Sequence, residues 1–290
     1  LKNENPRNIK YNRSQTLDTS YRNKKMKTKS RIASILKANS LDYSITGLHT
    51  FNLSELELSN DLEFDLPTNI RLGHLAEKIV SELIKSSTNY RVLYENIQLI
   101  EDKKTIGEID FIIEEIASSQ VIHLELAYKF YLFDPSISSS PINNWIGPNR
   151  NDSLREKLEK LKQKQLPLLY HNCAKAKFNN IEIEEVSQAI CLLVSLFVPY
   201  EYKGSFSPIY EKAIRGFYFN FETFSNLDNS EKEYHLPPKK EWGMNPSENE
   251  NWTDFAGVEN FINTSMKEKQ ASLCWQKSKD SYVAFFIVWW

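Results

Sequence analysis

With 290 residues, of which 41% are hydrophobic and 26% charged, the chain is long enough for one large or two small domains with a full core. No apolar run reaches the roughly 18 residues that span a bilayer, so no membrane partner is expected. Cys173, Cys191 and Cys274 are odd in number and lack metal-ligand spacing. Together with the absence of a secretory signal, this points to a reduced, cytoplasmic setting rather than a disulfide framework.

The net charge of -2 conceals an asymmetry, because residues 1–30 hold nine Lys or Arg against Glu4 and Asp18, about +7, leaving about -9 on the rest. Poor in apolar residues, this arm reads as disordered. A basic arm holds nucleic acid electrostatically. Met26 offers an internal start, however, so the arm carries no weight in the functional reading.

Helical periodicity runs from Arg71 to Lys85. Leu72, Leu75, Ala76, Ile79, Val80 and Leu83 form its apolar stripe, and Glu77 lies at the edge of that stripe. Residues 91–100 read as a first strand. A turn at Lys103-Lys104 leads to a second, Gly107-Glu108-Ile109-Asp110-Phe111, and a turn at Ser118-Ser119 to a third, His123-Leu124-Glu125-Leu126-Ala127-Tyr128-Lys129. Period-two alternation sends Glu108, Asp110 and Ile112 one way and Ile109, Phe111 and Ile113 the other. In the third strand it sets His123, Glu125, Ala127 and Lys129 against Ile122, Leu124, Leu126 and Tyr128. Paired, the two strands would let Asp110 and Glu125 share a divalent cation with Lys129 close by. That is a candidate hydrolytic metal site.

A Pro/Ser/Asn-rich loop from Phe133 to Arg150 is too long for a mere connector, and such loops often cover sites. Helix signals follow, with Asn151 or Asp152 as the cap and Leu154, Leu158 and Leu161 as the stripe. Gln165 falls on that stripe where an apolar residue is expected, so it needs a polar partner. Arg150, Arg155, Lys157, Lys160, Lys162 and Lys164 make the outer face basic, against Asp152, Glu156 and Glu159. Farther on, Ala189 to Val198 reads as a buried strand halted by Pro199. Gly216 to Phe224 alternates with Phe217, Phe219 and Phe221 on one side. Residues 226–250 are polar, and Ala284 to Trp290 reads as a buried terminal strand.

The succession Leu72-Gly73 with Glu77, Gly107 to Phe111, His123 to Leu132, Ile146-Gly147-Pro148-Asn149 with Asp152, Leu154 and Lys157-Leu158, and Gln165-Leu166-Pro167-Leu168 resembles the bacterial family catalogued as domain of unknown function 1853. The likeness covers about residues 65–170 well and continues more loosely to Phe286-Ile287-Val288. Its most specific part runs from Gly-Pro-Asn to Gln-Leu-Pro-Leu, which no generic fold requires.

That family is grouped with the PD-(D/E)XK nuclease-like superfamily. The resemblance implies an α/β fold: a central mixed β-sheet flanked by helices, with a restriction-endonuclease-like core. Residues 31–290 would form one domain, its core at about 65–225 and a C-terminal extension at 226–290. Metal-dependent phosphodiester hydrolysis on DNA or RNA is the implied activity, with nucleic acid as partner. Mg²⁺, or Mn²⁺ in its place, would be held by Asp110, Glu125 and Glu77, and Lys129 would be the catalytic ammonium. Glu108, His123, Gln165 and Lys157 would contact substrate or support the metal ligands. One departure stands out: the lysine normally follows the glutamate by two residues, and that position is Ala127. Lys129 comes four residues after Glu125, on the same strand face and roughly 6–7 Å beyond the Ala127 position.

Each residue also has a plainer role open to it. Glu125 and Lys129 would make a same-face ion pair, Glu77 an exposed helical glutamate, His123 a satisfied core histidine, and Gln165 a partner for a backbone group. A non-catalytic binding or scaffolding member of the same fold is the competing reading, and an unrelated hydrolase with paired carboxylates is a third. No Ser-His-Asp elbow, Walker loop or dinucleotide fingerprint points elsewhere. A nuclease requires Glu77, Asp110, Glu125 and Lys129 to converge in one open cleft, whereas Lys129 turned away from the carboxylates favours the binding module.

Overall fold

The computed structural model describes residues 27–290 apart from 60, 61, 63, 68 and 280. The basic arm therefore lies outside the described residues up to position 26. Its remaining residues, 27–30, belong to a helix that ends at residue 36.

The first apolar stripe forms a helix, α1 (Leu72–Lys85), whose Leu75, Ile79, Val80, Leu83 and Ile84 are buried against the sheet. An antiparallel meander follows: β1 (Tyr90–Glu101), β2 (Lys104–Glu115) and β3 (Gln120–Phe133). The first turn is Asp102-Lys103, with φ of 48° and 61°, as a two-residue hairpin whose twist matches its strands demands. Lys104, expected in that turn, opens β2. A helix, α2 (Leu154–Lys160), and shorter helical turns then cross over to β4 (Ser187–Pro199), which runs parallel to β3. β5 (Ile214–Asn220) adds parallel to β4. Phe221, expected on this strand, instead starts a short helix, because Asn220 Oδ1 accepts the Thr223 N–H at 2.9 Å and caps it.

The C-terminal residues continue the same sheet. They supply β6 (Glu233–His235), α3 (Phe255–Lys267), β7 (Ser272–Ser278) and β8 (Ser281–Val288). The sheet order is β1-β2-β3-β4-β5-β8-β7-β6, with short strands Asn39–Ser40 on β4 and Trp145–Ile146 on β3. The result is a large mixed sheet flanked by helices. Among the described residues no helix is long and apolar enough to cross a membrane.

Alternation along β3 divides the core. Leu124, Leu126, Tyr128, Phe130 and Leu132 pack in the cluster that includes α1, whereas Ala127, Tyr131 and Phe133 pack with Leu154, Leu158 and Leu161. By the same period, His123, Glu125 and Lys129 face the α2 side and not open solvent. In β2 the expected alternation slips. Ile109 joins Ile112 in one cluster while Phe111 and Ile113 stay with α1. The slip falls at Asp110, where β2 departs from β3.

Candidate functional site

β2 and β3 pair only from Phe111↔Leu124 to Glu115↔Gln120. The next opposed residues would be Asp110 and Glu125. There the ladder ends, because Asp110 Oδ2 accepts the Leu126 backbone N–H at 2.8 Å, and a side chain replaces a strand bond. From Glu125 to Tyr131 this edge of β3 has no described strand partner, until Trp145–Ile146 pairs with Leu132 and Phe133. The two carboxyls thus sit at the point where the strands diverge.

Glu125 is fully buried and Asp110 is 8% exposed. Burial first, and then the neighbouring Glu125 charge, push the Asp110 carboxyl up to about 8. Burial likewise pushes Glu125 up to about 7, against the opposing charge of Lys157. Two such neighbours titrate as a coupled pair.

Both Glu125 oxygens are met by side chains from other parts of the fold. His123 Nε2 lies 2.9 Å from Glu125 Oε1, and the Gln165 amide donates to Oε2. Gln188 of β4 fixes the tautomer. Its amide nitrogen donates to Leu166 O at 2.6 Å and lies 3.1 Å from His123 Nδ1, so Nδ1 accepts and Nε2–H donates to Glu125. Burial holds His123 down to about 4, which makes this contact a hydrogen bond from a neutral imidazole rather than an ion pair. Gln188 was not anticipated. Its only sequence signal is a polar residue at the head of a buried apolar run.

Gln165 reaches the carboxylate from a π-helical turn, Leu161–Gln165, which continues α2. Such widened turns frequently mark functional positions in helices. On its other side Gln165 Oε1 accepts from Lys157 Nζ at 2.9 Å. Lys157, expected on an outer basic face, therefore turns inward, and its charge acts on both Asp110 and Glu125. Burial lowers its own pKa, opposed by the charges of those two carboxyls.

Lys129 does not join them. Its ammonium lies 2.7 Å from Asp152 Oδ2. Asp152 is free for this because Ser153, rather than Asn151 or Asp152, caps α2, its Oγ accepting the Glu156 N–H. Gly147 makes the room: a Cβ there would fall 2.0 Å from Asp152 Oδ1. Around it, Gly147 N–H donates to Asp152 O at 2.7 Å, Asn149 Oδ1 accepts the Ala271 N–H at 2.8 Å, and the Arg150 guanidinium covers the Trp290 ring at 4.4 Å. The Gly-Pro-Asn segment is thus a clamp that seats the partner of Lys129.

Glu77 has a partner of its own on α1. Its Oε2 bonds His74 Nδ1 at 3.0 Å, although its charge still adds to the upward push on Asp110. Glu108 pairs across to Gln98 of β1, and its charge reaches His74 on α1. Of the expected residues, Asp110, Glu125, His123, Gln165 and Lys157 are linked to one another, Lys129 pairs with Asp152, and Glu77 bonds His74.

The sequence model of a domain of unknown function (DUF1853) matches residues 13–282. This chain belongs to the DUF1853 family. No curated protein and no solved structure matches it.

Among the described residues of this DUF1853 protein, no group of three or more His, Cys, Asp or Glu is arranged to hold a metal ion. The available donors are two carboxyls. Magnesium accepts such a set, since it is commonly held by one or two carboxylates with waters and substrate phosphate completing the shell. Burial is the first cause of the raised proton affinity of both carboxyls, and for Asp110 the Glu125 charge is the second.

Proposed function

We propose that this DUF1853 protein is a metal-dependent phosphodiesterase of the PD-(D/E)XK type acting on DNA or RNA. Asp110 and Glu125 are its metal ligands and Lys157 is its ammonium. The observation that carries this reading is the linkage at the end of the β2–β3 ladder, where Lys157, Gln165 and Glu125 form a chain beside Asp110. The coarse architecture is compatible with it: a large mixed sheet flanked by helices is what the superfamily resemblance implies.

A bound divalent cation would neutralise phosphoryl charge and make a water nucleophilic near neutral pH. The chain's own groups do the rest. The Leu126 N–H fixes the Asp110 carboxyl, and His123 and Gln165 orient that of Glu125. Gln165 also holds the Lys157 ammonium beside Glu125. Lys157 thereby takes the task that the strand lysine has in the superfamily.

Calorimetric titration of Mg²⁺ and Mn²⁺, with and without a non-cleavable oligonucleotide, tests the site. Wild type binds and Asp110→Ala does not. Cleavage assays on single-stranded, double-stranded and branched substrates then show activity in wild type and its loss in Lys157→Met. Absence of metal binding under both conditions would falsify the ligand assignment.

A second reading, a non-catalytic binding module, draws on Ala127 at the usual lysine position, on the Lys129–Asp152 pair and on the complete burial of Glu125. Metal binding with no cleavage of any of the three substrates decides for it.

A further inference from the structure

A second concentration of charge lies beside the candidate site. A cavity of about 540 Å³ opens where β3 lacks a strand partner, lined by Lys129, Tyr128 and Phe130 of β3, the start of α1, and residues Lys239, Lys240 and Trp242. Four cations face it, Arg71, Lys129, Lys239 and Lys240, against one lining carboxylate, Asp152, which is already matched by Lys129. In a chain of net charge -2 this is an uneven local balance.

The segment that carries Lys239 and Lys240 is anchored by the fold. Arg31, buried on the helix over residues 27–36, donates to the backbone oxygens of Lys240 and Trp242, so the carbonyls of this segment turn inward. Lys239 lies over the Trp242 ring at 5.5 Å, and Trp242 packs edge-on to Phe130 at 5.4 Å. The first turn of α1 borders the same space and contains no acidic residue, so nothing there repels an anion.

We propose that this cavity is a phosphate-binding site that receives the backbone of a nucleic-acid strand next to the phosphate at Asp110 and Glu125. The identity of the ligand rests on the phosphodiesterase reading. The cavity and the carboxylates share one strand: Lys129 follows Glu125 by four residues, roughly 13 Å along β3. The unpaired edge of β3 connects the basic cavity at Lys129 to the position of Asp110, which is 8% exposed, with the fully buried Glu125 behind it. Lysine and arginine contacts to phosphates position a backbone without reading its sequence, so the site confers affinity and register.

The test is fluorescence anisotropy of a labelled oligothymidylate, alone and as a duplex, in EDTA, with the full chain. Wild type binds both oligonucleotides. Lys239→Glu/Lys240→Glu weakens binding at least tenfold. It also flattens the dependence of log affinity on log salt by about one for each phosphate that is no longer neutralised. The milder Lys239→Gln/Lys240→Gln and an independent Arg71→Glu shift it in the same direction, with unchanged melting temperatures showing that the fold is intact.

Wild-type affinity and salt slope in all three variants overturns the site. So does a wild type that ignores both oligonucleotides yet binds inorganic phosphate, which would make it a small-anion pocket. Metal titration separates this from the preceding proposal. Loss of Mn²⁺ binding with charge-dependent oligonucleotide binding intact removes the catalytic reading alone, and the converse removes the cavity alone.

Discussion

Lys129 Nζ lies 2.7 Å from Asp152 Oδ2, and this pairing leaves Lys157 as the ammonium that serves Asp110 and Glu125. The two lysines therefore differ in what their removal does. On the proposed phosphodiesterase reading, Lys157→Met is expected to lower the cleavage rate about 100-fold or more, the scale of removing one charge-stabilising group. Lys129→Met retains most of it. The Lys129–Asp152 side chains are 36% and 42% exposed, so separating them costs only about 0–1 kcal/mol of stability. Equal loss of rate in both variants would return the catalytic role to Lys129.

Gly147→Ala tests the clamp. Its Cβ would collide with Asp152 Oδ1 at 2.0 Å, so the carboxylate must move and release Lys129. We expect a destabilisation of about 1–3 kcal/mol from overpacking. Asp152→Asn, which breaks the ion pair without the collision, costs at most ~1 kcal/mol. Urea unfolding of the two variants measures the difference, and indistinguishable midpoints would show that the segment yields without strain.

The carboxyl dyad sets a pH dependence of stability in the metal-free protein. Folding raises Asp110 from its ordinary 3.8 to about 8 and Glu125 from 4.5 to about 7. Their contribution is complete below their ordinary values and is lost as pH rises through 7 to 8. His123 runs the opposite way, from 6.5 down to about 4, so its contribution is complete above 6.5 and lost as pH falls toward 4. Between these ranges, from about 6.5 to 8, the carboxyls act without opposition from His123, and stability falls with rising pH. Asp110→Asn flattens that slope. The measurement is the urea midpoint across this window with EDTA present, and parallel slopes for both proteins would refute the raised carboxyl.

His123→Leu removes a donor from a fully buried Glu125 oxygen and is expected to cost about 1–3 kcal/mol. Adding Glu125→Leu removes the stranded acceptor, so the double variant is less destabilised than the two single costs added together. A double-mutant cycle reads this coupling directly. Additive effects would mean that water replaces the imidazole without penalty.

Much of the scaffold is legible in the chain itself. The 3.6-residue stripe of α1 and the period-two pattern of β3 are local properties, fixed by which face each side chain takes, and both elements follow them. Asp110 and Glu125 come together because antiparallel pairing places them at the next rung after Phe111↔Leu124. Gln165 announces itself as a polar residue on an apolar stripe, and its partner is the carboxylate. Gly147 is visible as part of an unexplained motif, although its purpose is not.

What the sequence does not contain is the choice among competing partners. Lys129 and Lys157 both lie within reach of acidic groups, and only the crossover that brings α2 over β3 assigns one to Asp152 and the other to Gln165. The slip of β2 at Asp110 has the same origin. A side chain wins a backbone N–H from the strand ladder, and nothing in the local period signals that exchange. Gln188 reaches His123 from 65 residues away through a parallel strand pairing, and Lys239 and Lys240 reach the cavity through Arg31. Local periodicity determined the strands, helices and the two carboxyls, while the pairing of charges was decided by the tertiary fold, because burial leaves each ionised group only the partners that packing brings within hydrogen-bond distance.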